Sequence, residues 1–175
     1  FEGNGFPDSY EFLKLVTYRP VQEELALNAG QQKELFAVKD ALNKKYNAVE
    51  LRKNPALLDN EYSQALEILT REQIKRVGQI MIQRDGMRAL LDEKTQQKLG
   101  VSPKQAEGIR KAWADHIVRG KAKYPGTTGR ESAHQCWKDA LLVLTEGQRA
   151  KFAEMTGEIV TQNRTPAVSY THLTL

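Results

Sequence analysis

Apolar residues recur at spacings of three and four along most of this chain, with charged residues at the positions between them. Leu35, Val38, Leu42, Tyr46 and Val49 form one such series, against Lys33, Glu34, Lys39, Asp40, Lys44 and Lys45 on the remaining positions. A rod with one apolar stripe and a charged back is the result, which predicts a long helix from a cap at Asn28 to the break at Asn54-Pro55. Ile74, Val77, Ile80 and Met81 predict a second helix, opened by Thr70 and closed at Asp85-Gly86. Ile109, Ala112, Trp113, His116, Ile117 and Gly120 predict a third, running from Ser102 to about Lys123 with Pro103 at its first position. Shorter helices are expected from Asp8 or Ser9 to Val16, Pro20 to Ala26, Asn60 to Leu69, Ala133 to Val143 and Glu146 to about Met155. Met87 to Leu99 is a short connecting segment, and Tyr124 to Gly129 (YPGTTG) is the clear loop. Sustained period-two alternation is absent, so the fold class is all-α with essentially no β-sheet.

Two of these helix starts share a motif. LTREQ at Leu69 to Gln73 returns as LTEGQ at Leu144 to Gln148, after the similar runs ALEI and ALLV. Thr70 and Thr145 are N-caps, whose side-chain oxygens accept from a backbone N–H that the first turn leaves unpaired. Gln73 and Gln148 complete the capping boxes by reaching back to the caps' own N–H groups. Leu69 precedes its cap and staples onto Ile74, whereas Arg149 takes the staple position in the second copy. The likeness extends further: VQEELALNAGQQKEL from Val21 resembles TQQKLGVSPKQAEGI from Thr95, and Asn28 precedes Gln31 as Ser102 precedes Gln105. Gln31 to Gln105 is a step of 74 and Gln73 to Gln148 a step of 75, with Tyr62 mapping onto Trp137. A nearly constant step is what duplication produces. The expected architecture is an elongated helical bundle of two related modules, residues 21–86 and 87–160, after an N-terminal segment 1–20.

Composition narrows the class. With 40% hydrophobic residues among 175 there is material for a core, but 7% aromatics make it a thin one, better suited to helices than to a sheet-based enzyme. No run approaches the roughly 20 apolar residues of a membrane span. Cys136 is the single cysteine, so no internal disulfide forms, and with His134 it supplies too few ligands for a closed metal site. It falls on the stripe Ala133, Cys136, Trp137, Ala140, Leu141 and Leu144 and reads as a small buried hydrophobe.

His116 is the one histidine with a defined setting, on the apolar side of its helix. Asp115 points about 100° away from it and makes no dyad. The serines lack a nucleophile elbow and no glycine-rich phosphate loop occurs. The chain is read as non-enzymatic, with no catalytic, cofactor-binding or metal-binding residues.

Net charge +4 and a pI near 9.1 arise partly from Arg110, Lys111, Arg119, Lys121, Lys123 and Arg130 around the third long helix. Glu107 and Asp115 interrupt that face, and no nucleic-acid motif accompanies it, so it reads as solvated helix surface with a weak preference for acidic partners or membrane surfaces, and nucleic acid is not the expected partner. The candidate partner-binding residues are Leu35, Val38, Leu42 and Tyr46 on one long helix and Arg110, Lys111, Trp113 and Arg119 on another.

The chain opens at Phe1 with the loose FEGNGFPDS, as expected of a sequence whose leader is missing. AVSYTHLTL, Ala167 to Leu175, resembles the read-through translation of a sequencing adapter in environmental gene catalogues. Residues 161–175 are expected to be a disordered tail, non-native from about 167.

The paired LTREQ and LTEGQ resemble the LTxxQ motifs of the Spy and CpxP-like periplasmic proteins, small helical chaperones and envelope-stress modulators. LTREQIKRVGQIMIQRDGMRALLDEKTQQKLGVSPKQ is also similar to uncharacterised exported bacterial proteins, and the resemblance spans roughly Val21 to Gly157. It implies a periplasmic or secreted protein that holds partly unfolded clients without ATP, on a cradle made by a homodimer of long antiparallel helices. Because this chain duplicates the helical unit, one chain can supply both halves. Leu69, Thr70, Gln73, Leu144, Thr145 and Gln148 are then structural, locking helix junctions. The rival role within the same resemblance is an envelope-stress regulator or structural protein that binds one dedicated partner.

Overall fold

The computed structural model describes residues 9–47, 50–51, 54–123 and 129–158, the side chains of 55, 118–123 and 129–135 excepted. Among the described residues there are helices and no strand. They are α1 (Ser9–Val16), α2 (Arg19–Glu24), α3 (Ala29–Lys45), a 3-10 turn (Pro55–Leu58), α4 (Asp59–Ile68), α5 (Arg71–Asp85), α6 (Met87–Leu91), α7 (Glu93–Leu99), α8 (Pro103–Lys123), α9 (Gly129–Leu142) and α10 (Glu146–Thr156). The all-α reading is correct, and none of these helices is long and apolar enough to cross a membrane.

Several boundaries differ from expectation, among them α9, which begins at Gly129 ahead of Ala133, and three differences have a local reason. α3 stops at Lys45, with Tyr46 extended at φ −138° and ψ 145°, instead of continuing to Asn54. Asn47 and Glu50 make their own reciprocal cap, Asn47 N–H donating to Glu50 Oε2 at 2.8 Å and Glu50 N–H to Asn47 Oδ1 at 3.0 Å. A new turn therefore starts where the apolar spacing alone predicted more helix. Asn60 does not cap α4, which begins at Asp59 directly after the 3-10 turn. The connecting segment is two helices, split where Asp92 turns extended and its carboxylate accepts from Thr95 N–H at 2.8 Å.

The chain divides into an N-terminal unit, residues 6–81, and a C-terminal unit, residues 82–159. In the first, α1 packs on α2, α3 and α4, and α3 packs on α4. Phe12, Leu13, Val16, Leu35, Leu42, Leu51, Leu58, Val77 and Met81 fill its interior. The Phe12 ring meets Tyr62 edge-on, centroids 5.1 Å apart and planes at 81°. On α4, the Glu61 carboxylate is buried and accepts from Lys45 Nζ at 3.1 Å. In the second unit α8 and α9 form the main pair, with α6 against α7 and α8, and α7 against α10. Leu90, Ile109, Cys136, Trp137, Ala140, Leu144 and Phe152 fill it. Cys136 is 1% exposed, its thiol donating to the Ala112 carbonyl at 3.2 Å and touching Met87 Sδ, so it is a core residue as the stripe indicated. Gly108 lets α8 approach the turn after α9: a Cβ placed there would stand 3.1 Å from Val143 Cγ1.

α2 and α7 end in the same manner. Val101 N–H donates to Gln96 O at 2.9 Å and Gly100 N–H to Gln97 O at 3.0 Å, the two bonds of a Schellman turn, with Gly100 at φ +65°. Leu27 N–H to Gln22 O at 3.0 Å and Ala26 N–H to Glu23 O at 3.1 Å repeat it 74 residues earlier. There the left-handed position is held by Ala26, at φ +48°. Gln22 and Gln96 also match, donating to Val16 O at 3.1 Å and Leu90 O at 2.8 Å.

Candidate functional site

The polar groups that organise each unit are two glutamines. In the N-terminal unit Gln31 caps back onto Asn28 and Gln73 onto Thr70, so both capping boxes form. The two side chains then meet. Gln31 Nε2 donates to Gln73 Oε1 at 2.9 Å, and Gln73 Nε2 returns the bond to Gln31 Oε1 at 3.4 Å. Each spends its second N–H on the chain entering the other's helix: Gln31 on Ile68 O at 2.9 Å, Gln73 on Leu25 O at 3.2 Å. Each Oε1 also accepts from its own cap's N–H, at 3.2 Å from Asn28 and 2.9 Å from Thr70. An amide has two donors and two lone pairs, and here all four are used on both residues.

The C-terminal unit repeats the set with Gln105 and Gln148. Gln105 Nε2 donates to Gln148 Oε1 at 2.7 Å and to Val143 O at 3.0 Å. Gln148 Nε2 donates to Gln105 Oε1 at 3.2 Å and to Gly100 O at 2.9 Å. Ser102 and Thr145 supply the caps, with N–H to Oε1 distances of 3.0 and 2.9 Å. A capping box alone accepts Glu or Gln at its third position. This arrangement requires Gln, because a carboxylate would bring oxygen against both the partner's Oε1 and a backbone carbonyl.

The six motif residues lie where caps and staples belong. Leu69 and Ile74 are buried in one cluster, and Leu144 is buried in the other. Arg149 replaces the second staple with a hydrogen bond, Nη1 donating to Leu144 O at 2.7 Å. In the sequence Gln31 and Gln105 show only as a repeated spacing after Asn28 and Ser102; the structure makes them the other half of each pair. The available signal was glutamine at the same step on both sides.

The candidate partner-binding residues separate into two groups. Leu35, Val38 and Leu42, expected to face a partner, instead pack inside the N-terminal unit, at 0%, 7% and 1% exposure, and Tyr46 is half-buried against them. Arg110 and Lys111 are exposed, Trp113 is half-buried, and the side chain of Arg119 lies outside the described residues. Large apolar side chains do reach the surface elsewhere: Phe36 is 42% exposed, Ile117 64% and Leu142 75%.

Among the described residues, two groups depart from their ordinary titration. Burial raises the Tyr62 phenol, and burial lowers the Lys98 ammonium, with Asp92 opposing and Lys94 adding to the effect. Neither stands in a constellation of acid, base and nucleophile. His116 is half-buried with its ring 5.8 Å from that of Trp113. Among the described residues no group of three or more His, Cys, Asp or Glu side chains is arranged to hold a metal ion. Family models, curated proteins and solved structures each returned no match to this chain.

Proposed function

We propose that the chain is an exported helical binding protein that holds partly unfolded protein segments without nucleotide. The two glutamine-paired units are, on this reading, two copies of one LTxxQ design. The observation that carries it is the exposure of Phe36, Ile117 and Leu142 on otherwise charged helices. Packing does not demand those residues. At the 74- or 75-residue step the matching positions are Arg110, Asn43 and Glu67, all polar and exposed. Each apolar side chain stands on the surface where its counterpart in the other unit is polar, and this difference supports a use outside the fold. Separate apolar contacts among charged side chains give weak, quickly reversed binding, which suits holding and release.

The test is suppression of aggregation. At near-stoichiometric ratio and without nucleotide, the protein is expected to delay light scattering by several unrelated denatured proteins. Ile117→Ser combined with Leu142→Ser is expected to weaken that protection while leaving the helical circular dichroism intact. Failure with every client, together with specific capture of one protein from an extract, refutes the holding role in favour of a dedicated-partner regulator.

A further inference from the structure

We infer that one face of α8, in the C-terminal unit, docks an acidic protein segment carrying an apolar anchor residue. This rests on the holding role above and adds the class of segment held. Arg110, Trp113, Ala114 and Ile117 share that face at helical spacing, and Arg88 from α6 stands beside them with its guanidinium carbon 5.8 Å from the Trp113 ring centre. Arg88, Arg110 and Ala114 are exposed and Ile117 is 64% exposed. Stepping back 74 residues gives Lys14, Phe36, Lys39, Asp40 and Asn43 at the corresponding places. The C-terminal unit has thus exchanged Asp40 for Ala114, Lys39 for Trp113 and Asn43 for Ile117. An acid is lost and an aliphatic side chain gained, while the ring moves along the face: Arg110 stands in the place of Phe36 and Trp113 in that of Lys39.

The charge of the chain follows the same division. Residues 82–159 carry 14 Lys and Arg against 10 Asp and Glu, whereas residues 6–81 carry 11 of each. The face holds two exposed arginines, Arg88 and Arg110, against one exposed acid, Glu107. Asp92 is engaged at the cap of α7, and Asp85 pairs with Arg84 at 3.1 Å. Asp115 is half-buried and about 160° around the helix from Ile117, which leaves exposed Glu107 one turn before Arg110. Two arginines beside a ring and an exposed isoleucine complement carboxylates interleaved with an aliphatic or aromatic residue. Single-stranded nucleic acid fits less well, since Arg88 already stands over the ring on which a base would stack and Ile117 offers a phosphate nothing.

Fluorescence anisotropy on the full chain tests this. The probes are a labelled peptide of about 14 residues alternating Glu or Asp with Leu, its Lys-substituted twin, and an oligothymidine of similar length. The acidic peptide is expected to bind at least about 10-fold tighter than the basic one, with the difference shrinking as salt rises. Arg88→Glu with Arg110→Glu is expected to abolish that preference, and Ile117→Ser to weaken binding severalfold while the preference persists. Lys14→Glu with Asn43→Ser, in the other unit, is expected to change nothing. Equal affinity for both peptides, indifference to the arginine substitutions, or displacement of the peptide by the oligonucleotide overturns the inference. If aggregation suppression is then still present, the holding role stands without this face.

Discussion

Gln31 and Gln73 lie 42 positions apart in sequence, yet each amide donates to the other's Oε1 and to the backbone of the chain leading into the other's helix. The N-termini of α3 and α5 are thereby joined through neutral side chains. Helix dipoles alone would favour acids at those positions, by about 0.3–1 kcal/mol each. The need to donate outweighs that preference, because a part-buried carbonyl stripped of its donor costs up to about 1–3 kcal/mol.

Gln73→Glu keeps the cap and the dipole but removes both donations. Destabilisation of about 1–2 kcal/mol is expected at neutral pH, measured by urea unfolding. A carboxyl facing two oxygens is held above its unfolded pKa, so its protonated form is the one the fold tolerates. The variant should therefore regain stability as pH falls through the carboxylate range and lose it as pH rises, opposite to an ion-paired acid. A pH-independent effect, or none, would mean the paired amides contribute little.

Ala26 occupies a left-handed position that Gly100 fills in the other unit, at φ +48° against +65°. A side chain there costs about 1–2 kcal/mol, offset in part by the greater unfolded-state entropy of glycine, about 0.4–1 kcal/mol. Ala26→Gly is expected to stabilise the protein by about 0.5–1 kcal/mol. Gly100→Ala, with open space around its Cβ, is expected to destabilise it by a similar amount through backbone strain alone. Chemical denaturation of both variants reads the two signs.

These two sites mark what the sequence could and could not tell. Thr70 and Thr145 were legible as helix starts, since a cap and its glutamine are four adjacent residues and their chemistry is local. The stripe through Leu35, Val38 and Leu42 was legible as buried but not as belonging to this chain's own core, because periodicity identifies an apolar face without naming what covers it. The Asn47–Glu50 cap went unseen because Tyr46 and Val49 continued the helical spacing through it. The Gln31–Gln73 and Gln105–Gln148 pairs depend on contacts across about 40 residues, which a glutamine in isolation does not announce. The exposed Ile117 lay within a stripe predicted to be buried, and only the surrounding packing distinguishes it from Ile109.

Gly108 sets how closely α8 approaches the turn that follows α9. A Cβ at 3.1 Å from Val143 Cγ1 meets a β-branched side chain with little rotamer freedom. Gly108→Ala is expected to cost about 1–3 kcal/mol by overpacking, despite the better helix propensity of alanine. Val143→Ala in the same chain should recover part of that loss. A double-mutant cycle by thermal unfolding checks it: simple additivity of the two changes would show that the contact is not what limits helix approach.

Cys136 is the chain's single cysteine and lies within the C-terminal core, so its reaction with a thiol reagent reports opening of that unit. Modification is expected to be orders of magnitude slower in the native protein than in urea. Each unit has its own buried cluster and its own glutamine pair, which points to opening governed by local stability. Gln148→Glu, which breaks the pair in the same unit, is accordingly expected to speed labelling of Cys136 by about 5- to 30-fold, the equivalent of 1–2 kcal/mol. Gln73→Glu, which breaks the other pair, should leave the rate unchanged. If both substitutions accelerate labelling equally, the two units open as one cooperative body, and the stability of each glutamine pair is shared across the whole chain.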